Sequence, residues 1–431
     1  MQRKSRLSSR TRLAAIVVAT LCSMLPSLAH AQFAGTFSFG GAASGRTARV
    51  VFDNPAGMVR FEEQEYLLGF FSVETNVDFE GSSFRYVGPR VEGGASSSTV
   101  NTGVNAFYVG PMKGKWSFGF GLFTIPAGRD IQYDRLLAHI TKEKFHAYNF
   151  GPSFAYRVTD KFSIGASLNI EYADFWCNMR LPEIGPDGLE DGLPGFLTTY
   201  GDDWEIGYRL GLLYQFNPGT RIGLSYASVM DHQMTGYSTY ASGTIPDSRA
   251  DGYQIGFAVP PFAMLSMHHD INDRWSIVGT IDYTWWEPYW EEAFLENLVA
   301  PPPFTEIRGP LDMQNTWGYS VGVEFDPKGS WAFVAQYGDE QGPSVDEWRS
   351  MKDYLNGHAT LSLGVRKYIT DEFWIDFGYA YTDGNDAPIV GAGLGGEGTG
   401  TGEFGLVTWN THAVGLFFSA SPKRKNKNNG A

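Results

Sequence analysis

A chain of 431 residues with 31 Phe, 22 Tyr, 12 Trp and 52 Gly carries a mixture that soluble α/β enzymes rarely use and that marks strands, bends and interfacial girdles. A formal charge of −14 excludes nucleic acid as a partner on electrostatic grounds. The two cysteines do not support a disulfide framework, and their surroundings lack metal or nucleophile partners.

Residues 1–31 read as a secretory signal peptide. Arg3, Lys4, Arg6, Arg10 and Arg12 open it, an apolar run from Leu13 to Leu21 follows, and Ala29-His30-Ala31 is an A-x-A cleavage site. The run is too short to cross a bilayer as a helix. Removing these residues takes away five positive charges and no acids, and moves the balance from −14 to −19. Leu21 before Cys22 is not the small residue of a lipoprotein site, so Cys177 is left alone and is expected to be a neutral side chain near a loop.

Residues 32–61 do not look like a strand. Ten of these thirty are Gly or Ala, and the stretch closes on Asn54-Pro55-Ala56-Gly57. Proline cannot donate to a ladder, and the segment lacks alternation and bulk. We expect a plug here.

From residue 62 to 420 the dominant signal is period-two alternation. Phe162, Ile164, Ala166, Leu168, Ile170 and Tyr172 oppose Lys161, Ser163, Gly165, Ser167, Asn169 and Glu171. Fourteen strands are expected, at about 63–79, 98–110, 115–125, 144–158, 161–175, 203–216, 219–231, 253–269, 273–287, 312–326, 330–339, 357–369, 371–383 and 404–420. Short polar turns such as Thr159-Asp160 and Asn217-Pro218-Gly219 alternate strictly with long connections, among them 126–143, 176–202 and 232–252. A soluble sandwich has no reason to keep that parity. A membrane barrel does, with short periplasmic turns and long outer loops. No later stretch is apolar for about 18 residues, and backbone in lipid must be paired, so the sheet must close. The expectation is an all-β chain: a fourteen-stranded antiparallel transmembrane β-barrel in the bacterial outer membrane, with the N-terminal plug in its lumen. Trp275 and Trp285-Trp286 would sit at opposite interfaces. Residues 421–431 form a basic polar tail expected to be disordered.

The mature start, Gly45-Arg46 and then Asp53-Asn54-Pro55-Ala56-Gly57-Met58, resembles the hatch of the FadL/TodX outer-membrane transporters of hydrophobic compounds. Blocks at Gly151–Arg157, Asp160–Gly165, Gly201–Trp204, Thr220–Tyr226, Asp273–Ser276 and Asp282–Trp286 are similar to the family in the same order. The chain departs from it in running thirteen residues past Phe418, where a barrel usually ends on an aromatic.

The resemblance implies passive uptake of a fatty acid or hydrocarbon, by a monomer bathed in outer-membrane lipid, with no cofactor and no enzymatic activity. An acyl chain of about sixteen carbons resists release into water by roughly 12 kcal/mol. A greasy pocket with a side exit into the bilayer avoids that step. The resemblance places the exit beside a kink in the third strand, where Phe118, Gly119, Phe120 and Gly121 alternate; ordinary Gly–aromatic packing is the competing reading. It makes Asn54, Pro55, Ala56 and Gly57 a gate, against a mere turn. It puts first ligand contact in a groove between outer loops, here Leu193, Pro194, Phe196, Leu197, Met234, Tyr237 and Tyr240. Arg209 and Arg366 have lumen-facing parity and could meet a carboxylate, or could be halves of structural ion pairs. A general porin for small polar solutes and a channel specific for aromatic hydrocarbons are the alternative functions.

Other motifs carry less. Gly391-Ala392-Gly393-Leu394-Gly395-Gly396 fits a dinucleotide fingerprint without the helix that it needs. His268-His269 lack metal-ligand spacing. Asp202-Asp203 and Glu291-Glu292 read as solvated loop charges, and no metal site is expected.

Overall fold

The computed structural model describes residues 41–43, 45–83, 91–130, 132–133, 140–184, 190–242, 247–299, 307–349, 354–390 and 404–422. The signal peptide, the first residues of the plug, the Gly391–Gly396 motif and all of the tail beyond Pro422 lie outside them.

Fourteen antiparallel staves form one closed sheet among the described residues. They are β1 (Glu65–Ser83), β2 (Val91–Val109), β3 (Trp116–Asp130, resumed at Gln132–Tyr133), β4 (Ile140–Arg157), β5 (Phe162–Ile184), β6 (Glu190–Asn217) and β7 (Thr220–Ala227, then Met230–Ala241). The ring continues with β8 (Ser248–Val259, then Phe262–Asp270), β9 (Trp275–Thr284, then Glu292–Glu296), β10 (Ile307–Pro310, then Thr316–Phe325), β11 (Trp331–Glu340), β12 (His358–Thr370), β13 (Phe373–Gly384, then Ala387–Val390) and β14 (Phe404–Ala420). Each pairs with its neighbour in sequence, and β1 closes on β14 from Tyr66↔Ala420 to Ser82↔Phe404. No helix is long and apolar enough to cross a membrane among the described residues.

Alternation decides which face is wet. Along β6, Trp204, Ile206, Tyr208, Leu210 and Leu212 are exposed on the outside, while Arg209 and Leu213 are buried. Rings cluster at the edges of this outer apolar band: Tyr172–Trp204 at 5.1 Å near one rim, Trp116–Tyr156 and Trp275–Phe325 at 4.5 Å near the other. This is the aromatic girdle of a membrane barrel. Trp286 departs from the interfacial expectation. It is buried, and its indole N–H donates to Thr316 Oγ1 at 3.1 Å.

The strands run further toward the long-connection rim than their sequence pattern indicated. Residues expected as outer loops at 176–202 and 232–252 are largely ladder: Phe196 pairs with Ala241, Leu197 with Tyr240 and Asp202 with Thr235. Cys177 is a buried β5 residue opposite Thr199, not a loop residue. Polar alternation in these upper reaches, such as Asn178 facing Thr198, hides the strand because neither face there needs to be apolar.

Residues 41–43 and 45–61 lie in the lumen, with a 3-10 turn (Gly41–Ala43), a short helix α1 (Val50–Asp53) and a second 3-10 turn (Pro55–Arg60). Their partners come from around the ring. Ala48 N donates to Glu65 on β1, Arg157 of β4 to Val59 O, Ser163 and Ser167 of β5 to Ala56 O and Val51 O, and Arg221 of β7 to Ala43 O. Ala42 N donates to Ser266 of β8, and Arg46 pairs with Glu324 of β10. Polar side chains on the inner faces of the strands thus satisfy a backbone that has no ladder of its own. Arg60 donates to the neutral Gln215 Oε1 at 2.6 Å; burial, with Arg46 close by, holds its pKa below the usual guanidinium range.

Asn54 is the joint of this segment. Its Nδ2 donates to Ala42 O at 2.7 Å and to Leu212 O of β6 at 2.9 Å, while Oδ1 caps Ala56 N at 3.1 Å. Pro55 begins the 3-10 turn, where its missing N–H costs nothing. Asn54→Ala removes all three bonds and should destabilise the seating of residues 55–60 by about 2–4 kcal/mol. Hydrogen exchange in detergent should then quicken at those amides by tenfold or more while the barrel amides stay protected.

Candidate functional site: a lumenal cavity against an interrupted wall

Above the N-terminal segment lies a cavity of about 220 Å³. Phe52, Phe123, Ile125, Met230, Phe262 and Trp286 give it an apolar lining, with Arg209, Asp53, Glu171 and Asp282 among its charges. Phe52, on α1, is central to it. Its ring meets Phe123 edge-on at 4.4 Å and lies 4.6 Å beneath the Arg209 guanidinium. Phe262 lies 4.8 Å from the same guanidinium. Arg209 is therefore clasped by two rings, and no carboxylate is within ion-pair distance of it among the described residues. The sequence pattern gave Arg209 its lumenal parity, but not Phe52, whose only signal is to be the aromatic just before Asp53-Asn54-Pro55.

The wall beside Phe123 is not continuous. β2 pairs with β3 from Val109↔Gly119 to Asn105↔Phe123 and again only at Ser96↔Gln132 and Ala95↔Tyr133. Through the same stretch β3 remains paired with β4, from Trp116 to Asp130. The break is therefore between β2 and β3 alone, with seven residues of β2, 98–104, lacking a β3 partner among the described residues. Thr124 closes its lower edge: its hydroxyl accepts from Val104 N at 2.8 Å and donates to Val104 O at 3.2 Å.

This relocates the expected bend. Gly119 and Gly121 are paired on both sides and lie below the interruption. They are small for another reason. A Cβ on Gly119 would fall 2.6 Å from Met58 Sδ and 2.7 Å from Val51 Cγ2, so these glycines let the N-terminal segment approach β3. Phe118 and Phe120 point outward and are exposed. Asn54, Pro55 and Ala56 dock on β5 and β6, where a Cβ on Gly165 or Gly211 would strike them. It is the neighbouring Phe52 that reaches the broken edge.

The remaining expected contacts divide. Leu197, Met234 and Tyr240 are buried within the upper wall, and Phe196 is exposed on its outer face, so these residues form no groove between loops. Tyr237 also has outward parity and carries the Arg249 guanidinium 3.9 Å above its ring. Arg366 is half of a bidentate ion pair with Asp376, at 2.6 and 2.9 Å, beside a separate cavity of about 90 Å³ nearer the short-turn rim. Asp203, expected as a solvated loop charge, is a β6 residue whose carboxylate accepts from Gln233 N. No group of three His, Cys, Asp or Glu side chains suited to a metal occurs among the described residues.

Comparison with known proteins agrees with this architecture. The chain is 21% identical to the long-chain fatty acid transport protein of Escherichia coli over 370 residues, which cover 77% of this chain and 80% of that protein. The crystal structure of a Pseudomonas aeruginosa FadL homologue superposes with a TM-score of 0.76 at 17% identity, covering 90% of this chain and 98% of that one. The toluene transporter TbuX of Ralstonia pickettii superposes with a TM-score of 0.65 at 18% identity, covering 90% and 98%. The family model for the outer membrane protein transport proteins (OMPP1/FadL/TodX) matches residues 15–421, so the chain belongs to that family and is an outer-membrane β-barrel of the transport class, not an enzyme.

Proposed function

We propose that this protein carries hydrophobic small molecules, fatty acids or hydrocarbons, from the cell exterior into the lumenal cavity and out sideways into the bilayer. The observation that carries this reading is the broken β2–β3 ladder beside Phe123 and Ile125, two residues that also line the cavity. A backbone edge left unpaired at membrane depth is costly, so it is tolerated only where it lines a cavity or passage. The relatives' names, a fatty acid transporter and a toluene transporter, fit an apolar cargo.

In this reading the ligand lies between Phe52, Phe123 and Phe262. A volume of about 220 Å³ is below the roughly 300 Å³ at which small-molecule pockets usually begin. The cavity then takes a small hydrocarbon whole, or one part of an acyl chain whose remainder lies in the wall gap. Arg209 would take a carboxylate head, because its guanidinium faces the cavity without a carboxylate of its own. Asn54, Pro55, Ala56 and Gly57 act as the gate through Phe52: a shift of this joint draws α1 and its ring away from Phe123. A steady polar pore is the weaker reading, since residues 41–43 and 45–61 fill the lumen beneath the cavity.

Two measurements test this. Arg209→Gln should lower palmitate uptake by about tenfold or more, the loss of one charge-assisted hydrogen bond, and leave toluene uptake near wild type. Equal loss for both ligands would remove the carboxylate assignment. Ile125→Trp fills the mouth of the β2–β3 gap and should reduce uptake of both by about tenfold, with the barrel still heat-modifiable on gels. Uptake that ignores this substitution would sink the side exit.

A further inference from the structure

The wall is interrupted a second time, between β6 and β7. These strands pair from Asn217↔Thr220 to Arg209↔Ala227 and again from Asp202↔Thr235 to Phe196↔Ala241. Six residues of β6 and seven of β7 lie between the two ladders. Ser228 N donates to Tyr208 O at 2.9 Å and closes the lower edge; Gln233 N donates to Asp203 Oδ2 at 3.0 Å and closes the upper. Trp204–Gly207 and Val229–His232 then face each other without backbone pairing, over about 13 Å of strand at 3.3 Å per residue.

The upper half of the β7–β8 hairpin causes the break. Both of its strands stop at one level, at Ser228-Val229 and Pro260-Pro261, and resume as a paired arm from Met230↔Val259. Two adjacent prolines cannot donate to a ladder, so the arm is free to change direction there. It leans inward. Buried His232 passes behind β6 to reach Glu171 of β5, Nε2 to Oε1 at 3.0 Å, and its Nδ1 lies 3.5 Å from Asp203. Glu171 in turn accepts from Asn149 of β4 at 3.1 Å. The comparable break between β8 and β9 is filled: Trp290 Nε1 donates to Ala258 O at 2.9 Å, and Trp285 N to Pro261 O at 3.1 Å.

Met230 and Ser228 fill the β6–β7 break. A Cβ on Gly207 would fall 2.8 Å from Met230 Cγ and 3.0 Å from Ser228 Oγ; Ser228 Oγ also accepts from Tyr208 N at 2.9 Å, which leaves Met230 as the larger and more adaptable side chain in that space. Met230, Ser228 and Arg209 all line the 220 Å³ cavity, and Trp204, Ile206 and Tyr208 flank the break on the exposed outer face. Unbranched methionine changes rotamer at low cost and adapts to what it packs against.

We infer that this break is a second side window of the cavity, shuttered by Met230, through which a hydrophobic ligand exchanges with the bilayer next to Arg209. The inference rests on the reading of the cavity as a ligand site. It is separate from the β2–β3 gap, because Phe52 and Arg209 stand between the two.

The test needs no ligand. Full-length Cys177→Ser protein carrying Ser228→Cys is placed in phospholipid vesicles that contain a lipid with a maleimide tethered to its acyl chain, too large to cross the cavity from the other gap. Ser228→Cys should react at least tenfold faster than Ser362→Cys, a cavity residue distant from either break. Adding Met230→Ala should speed the reaction severalfold, and Met230→Trp, or Met230→Phe if the tryptophan variant is not heat-modifiable, should slow it as much. A rate for Ser228→Cys equal to that for Ser362→Cys, or one indifferent to residue 230, overturns the window. Palmitate and toluene uptake by the unmodified protein is measured alongside: its absence overturns the ligand reading, while the labelling reports on the window by itself.

Discussion

Every backbone N–H and C=O that faces hydrocarbon must find a partner within the protein, and the ring closed by β1 on β14 is the solution this chain uses. The rest of the structure follows from that demand. Fourteen staves are each paired to both neighbours over most of their length, so an unpaired stretch stands out as a departure from a strict rule. Among the described residues, the departures at β2–β3 and β6–β7 both border the same cavity. Unpaired backbone is cheapest where water or a ligand can replace the lipid.

The same demand explains the N-terminal segment. Val50, Val51, Met58, Val59 and Phe61 of the segment are buried in the main apolar cluster of the barrel. Polar groups fix its backbone: Ser163, Ser167, Ser266, Arg157 and Arg221 supply donors or acceptors from the inner wall, and Asn54 ties the segment to itself and to β6. Small wall residues such as Gly119 and Gly165 provide the clearance. Its elements pack mainly on β2–β9, and Arg46, Thr47 and Arg49 face β12 and β13 across the smaller cavity beside Arg366.

Much of this was legible in the residues. Period two located all fourteen strands, because an outer face in lipid must be apolar along the whole membrane-spanning length. Above the membrane neither face has that obligation, so β5, β6 and β7 continue through residues such as Asn178, Thr198 and Ser238 that read as loop. Pairing defects were less legible still. Gly119 and Gly121 looked like a bend but serve the approach of Met58 and Val51, while the actual break begins at Thr124, an ordinary strand residue. The expected strand at 253–269 runs straight through Pro260-Pro261, where β8 changes direction, one strand away from the β6–β7 break.

Arg209 and Arg366 show how the structure separates readings that parity alone cannot. Arg366 and Arg209 have the same alternation and similar surroundings of strand and aromatic. Arg366 spends both ends of its guanidinium fork on Asp376, the geometry expected of a structural pair. Arg209 has no such partner. The nearby acid, Asp53, is engaged by Arg49 at 3.1 Å, and the faces of the Arg209 guanidinium are taken by Phe52 and Phe262. Arg209 is thus buried against two ring faces, with the charge of Asp53 nearby and no carboxylate within ion-pair distance among the described residues, and the proposed carboxylate contact rests on that geometry.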